Sequence, residues 1–226
     1  QYAVVGFAFI GVFYAAILAV GQKTLRELLA FAVISHTGLL IVGLFTLELE
    51  AFRGAVLLAL NFGLAIAGLL LMTGLLWQRT HTTRLSKLGG LLDYLPMVGA
   101  AFLIAGLAIV GMPGTPGFDG VHFILAAAIH SFGAPLTIAA AMGNIMAAGF
   151  LLRAFQRTFL SPLPDNIQHQ QWDTQAPLFA EKVLSSTVII VILGIGFYSR
   201  PWLDLMDQPL RGIAALFPAT IVGGSQ

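Results

Sequence analysis

Apolar residues run through this chain in long uniform blocks, and polar residues are confined largely to the gaps between them. Residues 3–20, 28–47, 55–77, 136–159 and 183–198 each read as an apolar helix. Each comes close to the roughly 20 residues needed to cross a bilayer. A sixth apolar region, about residues 97–134, is interrupted. Its flanks, 101–110 (AFLIAGLAIV) and 121–134 (VHFILAAAIHSFGA), are too short to span alone, and with the break between them they make one span. The break itself, 111–120 (GMPGTPGFDG), contains Pro113 and Pro116, which donate no backbone hydrogen bond. Gly111, Gly114, Gly117 and Gly120 give it no side-chain cover. Irregular backbone at membrane depth is tolerated only where it is packed in protein or lines a wet cavity. The pattern predicts an all-α polytopic membrane protein of about six transmembrane helices, the fourth broken between about residues 110 and 120.

The connections are short. A turn at Gly21-Gln22-Lys23 precedes Thr24, and Glu27 three residues on completes a capping box. An acidic loop is expected at 48–53, a polar loop at 78–84, and a surface loop at 161–175 with Pro162 and Pro164. After Pro201, the segment 202–226 mixes apolar and polar residues over 202–217 and is expected to lie at the membrane interface. The whole chain, 1–226, reads as a single transmembrane domain. Lys23, Arg26, Arg79, Arg84, Lys87, Arg153, Arg157 and Lys182 fall in one set of connections, against Arg53, Arg200 and Arg211 in the other. The positive-inside rule puts the larger set in the cytoplasm, with the start of helix one and the C-terminus on the outer face.

Composition sharpens the class. Of 226 residues, 58% are hydrophobic and only 9% charged, where a soluble domain carries about 25% charged residues. Barrel strands would alternate apolar and polar, and these runs do not. A net charge of +1 without a basic run argues against a nucleic-acid partner. The absence of cysteine excludes thiolate metal sites, iron–sulfur ligation and disulfides. Gln1 stands in an apolar run with no basic stretch before it, so no signal peptide is visible and the chain is expected to begin partway through a longer protein or to lack its first residues.

Ionisable groups inside a membrane are expensive and mark ion paths. Asp119 and His122 sit beside the break, three residues apart and so on one helical face. They make the leading candidate proton site, with His36 (in Ser35-His36-Thr37-Gly38), His130 and Asn61 as further polar positions. The plain alternatives are a proline kink between packed helices and an Asp119 that only caps the second half-helix, accepting from the amide of Val121 or His122. His36, His122 and His130 also admit a haem or metal reading. Gly54, Gly63, Gly68 and Gly74 offer smooth surfaces for close helix approach, within the chain or against other subunits.

Three motifs then carry a family resemblance. LRELLAFAVISHTGLL (25–40), Gln78-Arg79-Thr80-His81-Thr82 with Leu88-Gly89-Gly90-Leu91, and Met112-Pro113-Gly114-Thr115-Pro116-Gly117-Phe118 with Gly120 stand in order and spacing. Together they resemble the antiporter-like membrane subunits of respiratory complex I, chain M (mitochondrial chain 4) type. The resemblance implies the last six helices of a fourteen-helix fold built from inverted repeats, each with a broken helix and mid-membrane proton-relay groups. It implies no cofactor or metal and no bond chemistry of the subunit's own. Its implied partners are lipids, other membrane subunits, and the N-terminal part of the subunit or a separate chain supplying it. It places the chain in a bacterial inner membrane. Two departures stand out: the family's histidine in the third helix falls on Phe62, and its mid-membrane glutamate falls on Val121. Neither side chain carries a proton. A cation/proton antiporter, an inorganic-carbon uptake complex and a non-conducting structural subunit are the competing readings.

Overall fold

The computed structural model describes residues 2–162, 172 and 177–216. Its elements are α1 (Tyr2–Gly21), α2 (Leu25–Phe45), α3 (Leu49–Thr80), the short α4 (Leu91–Tyr94), α5 (Pro96–Val110), α6 (Pro116–Phe132), α7 (Ala134–Phe155), α8 (Phe179–Phe197) and α9 (Arg200–Ala214). A π-helical turn, Gln156–Leu160, extends α7. Counting that extension, five helices among the described residues are long and apolar enough to cross a membrane. The pair α5–α6 makes the sixth span.

That pairing is visible along α3. Ala105 of α5 packs at Gly68, and Gly117 and Gly120 of α6 pack at Asn61 and Gly54. Ser131, near the end of α6, donates to Glu48 at 2.7 Å just before α3 begins. The two half-helices therefore follow α3 from one end to the other. The interruption is narrower than the sequence suggests, residues 111–115, because Pro116 and Gly117 open α6. Proline is favoured there: its fixed φ suits the first helical position, and its missing N–H would have had no partner. Gly111 and Gly114 turn the chain at φ of 78° and 89°, backbone that side-chain-bearing residues resist.

Thr24 caps α2 as expected: it accepts from the Glu27 amide at 3.2 Å and donates to the Glu27 carboxylate at 2.9 Å. The acidic loop expected at 48–53 is a correction. α3 already begins at Leu49, and the connection is only residues 46–48. Glu48 at the cap and Glu50 in the first turn sit where a helix N-terminus favours negative charge. The expected interfacial segment starts as a helix at Arg200, and residues 217–226 lie outside the described residues.

The basic and acidic connections separate to opposite ends of the bundle. At one end the backbones of the α1–α2 and α3–α4 connections pair, Leu25 N to Thr83 O and Leu85 N to Lys23 O, both 2.9 Å. Arg79 at the foot of α3 there holds Glu181 of α8 in a buried two-pronged ion pair at 2.8 Å for both bonds. At the other end Arg53 of α3 pairs with Asp207 of α9, which also accepts from Arg211 at 2.6 Å. Of the four glycines on α3 singled out for close approach, Gly54 and Gly68 are used inside the bundle, while Gly63 and Gly74 have open space beside them.

Candidate functional site

The break is held from both sides by amide side chains. α5 closes with Gly111 N to Ala108 O and Met112 N to Leu107 O, both 3.1 Å. Asn61 of α3 then donates to the Ala108 carbonyl at 2.8 Å, and Asn144 of α7 donates to the Val110 carbonyl at 2.7 Å. These carbonyls belong to the last turn of a helix, where the regular ladder stops: Ala108 O accepts from Gly111 N in a tight turn, and the amide four residues on goes to Leu107 O instead. The asparagines add a bond from the side to each.

Gly117 is what lets Asn61 in. A Cβ there would fall 2.6 Å from Asn61 Nδ2 and 2.7 Å from Ala108 O.

Each asparagine has its Oδ1 buried without a partner among the described residues, and so has Nε2 of His36. His36 is 3% exposed, with Nδ1 3.2 Å from the Ala32 carbonyl. Its ring lies within interaction range of the Asn144 amide and the Ile109 carbonyl. A small cavity of about 10 Å³ opens between α1, α2 and α7, with Val12, Ser35, His36 and Asn144 among its walls. That is room for roughly one water. The set comprises one titratable imidazole, two amides and the exposed carbonyl end of a half-helix. Such groups can hold water and pass a proton.

The other expected residues fall differently. Asp119 is half-buried and accepts from Ser199 at 2.9 Å, where α8 turns into α9. His122 is exposed and lies nearly parallel to Phe118, centroids 6.5 Å apart. No bond joins Asp119 to His122 among the described contacts. The capping role for Asp119 is also corrected: α6 begins at Pro116 with Thr115 at its cap, so Asp119 is already inside the helix. His130 is exposed in the last turn of α6. His36 thus sits in the interior while the other two histidines face outward. Asn144 was missed at the sequence level, although a lone amide in an apolar helix is the same signal that marked Asn61.

Phe62 and Val121 are both buried. Phe62 stacks on His36, and Val121 packs among apolar residues of α1, α2 and α3.

A discontinuous helix gripped by neighbouring spans, in an otherwise apolar bundle, defines a polytopic membrane protein that packs irregular backbone at membrane depth. Residues 1–147 match the profile of the family described as NADH:quinone oxidoreductase/Mrp antiporter, transmembrane, and the chain belongs to that family. Subunit M of the NADH-quinone oxidoreductase of Rickettsia conorii is 29% identical over 210 residues, 92% of this chain and 41% of that protein. The Pseudomonas aeruginosa subunit M is 30% identical over 204 residues, 90% and 39%. Among solved structures, respiratory complex I from Thermus thermophilus with bound NADH superposes with a TM-score of 0.83 at 29% identity, over 99% of this chain and 45% of the matched one. The Mrp complex from Dietzia sp. gives 0.80 at 19% identity, a likeness of fold, over 99% of this chain and 48% of the matched one. The chain spans about two fifths of the length of the curated relatives it matches.

Proposed function

We propose that this chain forms the second half of an antiporter-like subunit in a proton-translocating, complex I-like NADH:quinone oxidoreductase. The observation that carries the reading is the convergence of His36, Asn61 and Asn144 on the broken end of α5. His36 is the proton-exchanging group, and the two amides and the Ala108 and Val110 carbonyls hold the water that connects it. Asp119, His122 and His130 on α6 line the way out on the far side of the break. The break, at Pro113 and Gly114, is what exposes polar backbone at this depth, and Pro116 and Gly117 start the second half-helix beside it. The part of the relatives' fold that this chain does not cover supplies the other half-channel, from the same subunit or a separate chain. Further membrane subunits complete the assembly.

In this reading the protein lies in a bacterial inner membrane. The basic end bearing Lys23, Arg84 and Arg157 faces the cytoplasm, and α9 lies on the outer surface. The test is proton flux per turnover in the intact complex, sealed in vesicles, with His36→Gln and Asn144→Leu. The expected result is an assembled complex whose flux per turnover drops, by roughly tenfold if this half carries the path alone. Normal stoichiometry in both variants would overturn the relay.

A specific observation favours a second reading, a non-conducting structural half. Phe62 and Val121 fill with apolar packing the two positions where the resembling family carries relay groups. Membership of a cation/proton antiporter or an inorganic-carbon uptake complex is distinguished by the chains that co-purify.

A further inference from the structure

At the basic end of the bundle a groove of about 780 Å³ opens between three connections. Four cations line it: Lys23 from the α1–α2 turn, Arg84 from the stretch after α3, Arg153 from α7 and Arg157 from its π-helical extension. Its one described carboxylate, Glu27, is engaged by the Thr24 hydroxyl in the cap of α2. None of the four cations forms an ion pair among the described residues; Arg153 donates one bond, to the Val20 carbonyl at 2.9 Å. The floor is fixed, because the Leu25–Thr83 and Leu85–Lys23 backbone bonds clamp the strips carrying Lys23 and Arg84. Four cations against the single Glu27 carboxylate leave the groove with an excess of positive charge on a clamped frame, and a further anion would relieve the repulsion.

The place of the cations names the anion. The groove opens where apolar α1 and α7 end, and Val20 and Leu152, the sequence neighbours of Gly21 and Arg153 in its lining, are exposed. Cations gathered at the ends of apolar spans match a molecule with an anionic head and hydrocarbon tails, and basic pockets at helix ends are suited to anionic lipid head groups. The volume falls within the range of small-molecule sites. We propose that this groove binds the phosphodiester head group of an anionic phospholipid, held by Lys23, Arg84, Arg153 and Arg157. The site is separate from the break and independent of whether this half conducts protons.

The test uses the intact complex in phosphatidylcholine nanodiscs doped with a photoactivatable phosphatidylglycerol or, in parallel, a photoactivatable phosphatidylcholine. The expected result is several-fold more phosphatidylglycerol than phosphatidylcholine label on peptides covering residues 21–27 and 153–157. Replacing all four cations with glutamine should make the two labels equal. Since that variant can fail to assemble, Arg157→Gln alone should lower the preference measurably and Arg157→Lys should retain most of it. Equal labelling by both lipids in the wild type, an unchanged preference in Arg157→Gln, or crosslinks from the groove to a protein segment instead would overturn the proposal.

Discussion

His36 and Phe62 lie face to face in the centre of the bundle, ring centroids 5.3 Å apart and planes 18° from parallel. His36, the buried histidine among the described residues, is thus covered by an aromatic ring at the position where the resembling family places a second histidine. Phe62→His would put two imidazoles at that separation, where a second positive charge is disfavoured by the first. We expect the pH profile of proton flux in vesicles to differ several-fold from that of the wild type. A profile identical to the wild type would show that Phe62 does not silence this half.

Gly117→Ala places a methyl group 2.6 Å from Asn61 Nδ2 and 2.7 Å from a backbone carbonyl that cannot step aside. Asn61 must swing away, leaving the Ala108 carbonyl without it. The expected cost is about 1–3 kcal/mol, read as a lowered Tm of the assembled complex. In the double variant with Asn61→Ala the further loss should be smaller, because the collision with Asn61 and its bond vanish together while the contact with the Ala108 carbonyl remains.

Arg79 and Glu181 form a bidentate pair with side chains 5% and 6% exposed. Arg79→Ala leaves a buried carboxylate uncompensated, an expected loss of about 3–5 kcal/mol. Arg79→Lys keeps the charge but not the fork, so it should be only a partial rescue. Replacing both residues by methionine should cost less than Arg79→Ala. Protease sensitivity of the α7–α8 connection is the readout, since this pair ties α8 to α3.

Hydrogen bonds from Arg53 and then Arg211 hold the Asp207 carboxyl below its usual value of 3.8. The depressed value means that the docking of α9 gains from this charge above the ordinary carboxylate range and loses it as pH falls through the lower, docked-state value. Hydrogen exchange of α9 amides should therefore rise on acidification below about pH 4. In Asp207→Asn the exchange should already be raised at neutral pH and should lose this part of its acid dependence.

The apolar blocks, the six spans, the capping box at Thr24 and the two prolines of the break were all legible along the chain. Each follows from local rules: run length against bilayer thickness, a hydroxyl able to reach an amide three residues on, a ring that removes a donor. The separation of Lys and Arg between alternate connections was legible for the same reason, and the fold sets those connections at opposite ends. Local rules misplaced the start of α3, because Glu48 and Glu50 read as loop residues until a helix N-terminus gives them a reason to be helical. They also put the polar centre at Asp119 and His122, neighbours in sequence whose side chains meet Ser199 and Phe118 instead. The grouping of His36, Asn61 and Asn144 joins three helices across 108 positions of chain, and no spacing rule links residues that far apart. Only packing decides which side-chain amide reaches which carbonyl at the end of α5. In this chain that choice rests on a glycine at 117 small enough to let Asn61 through.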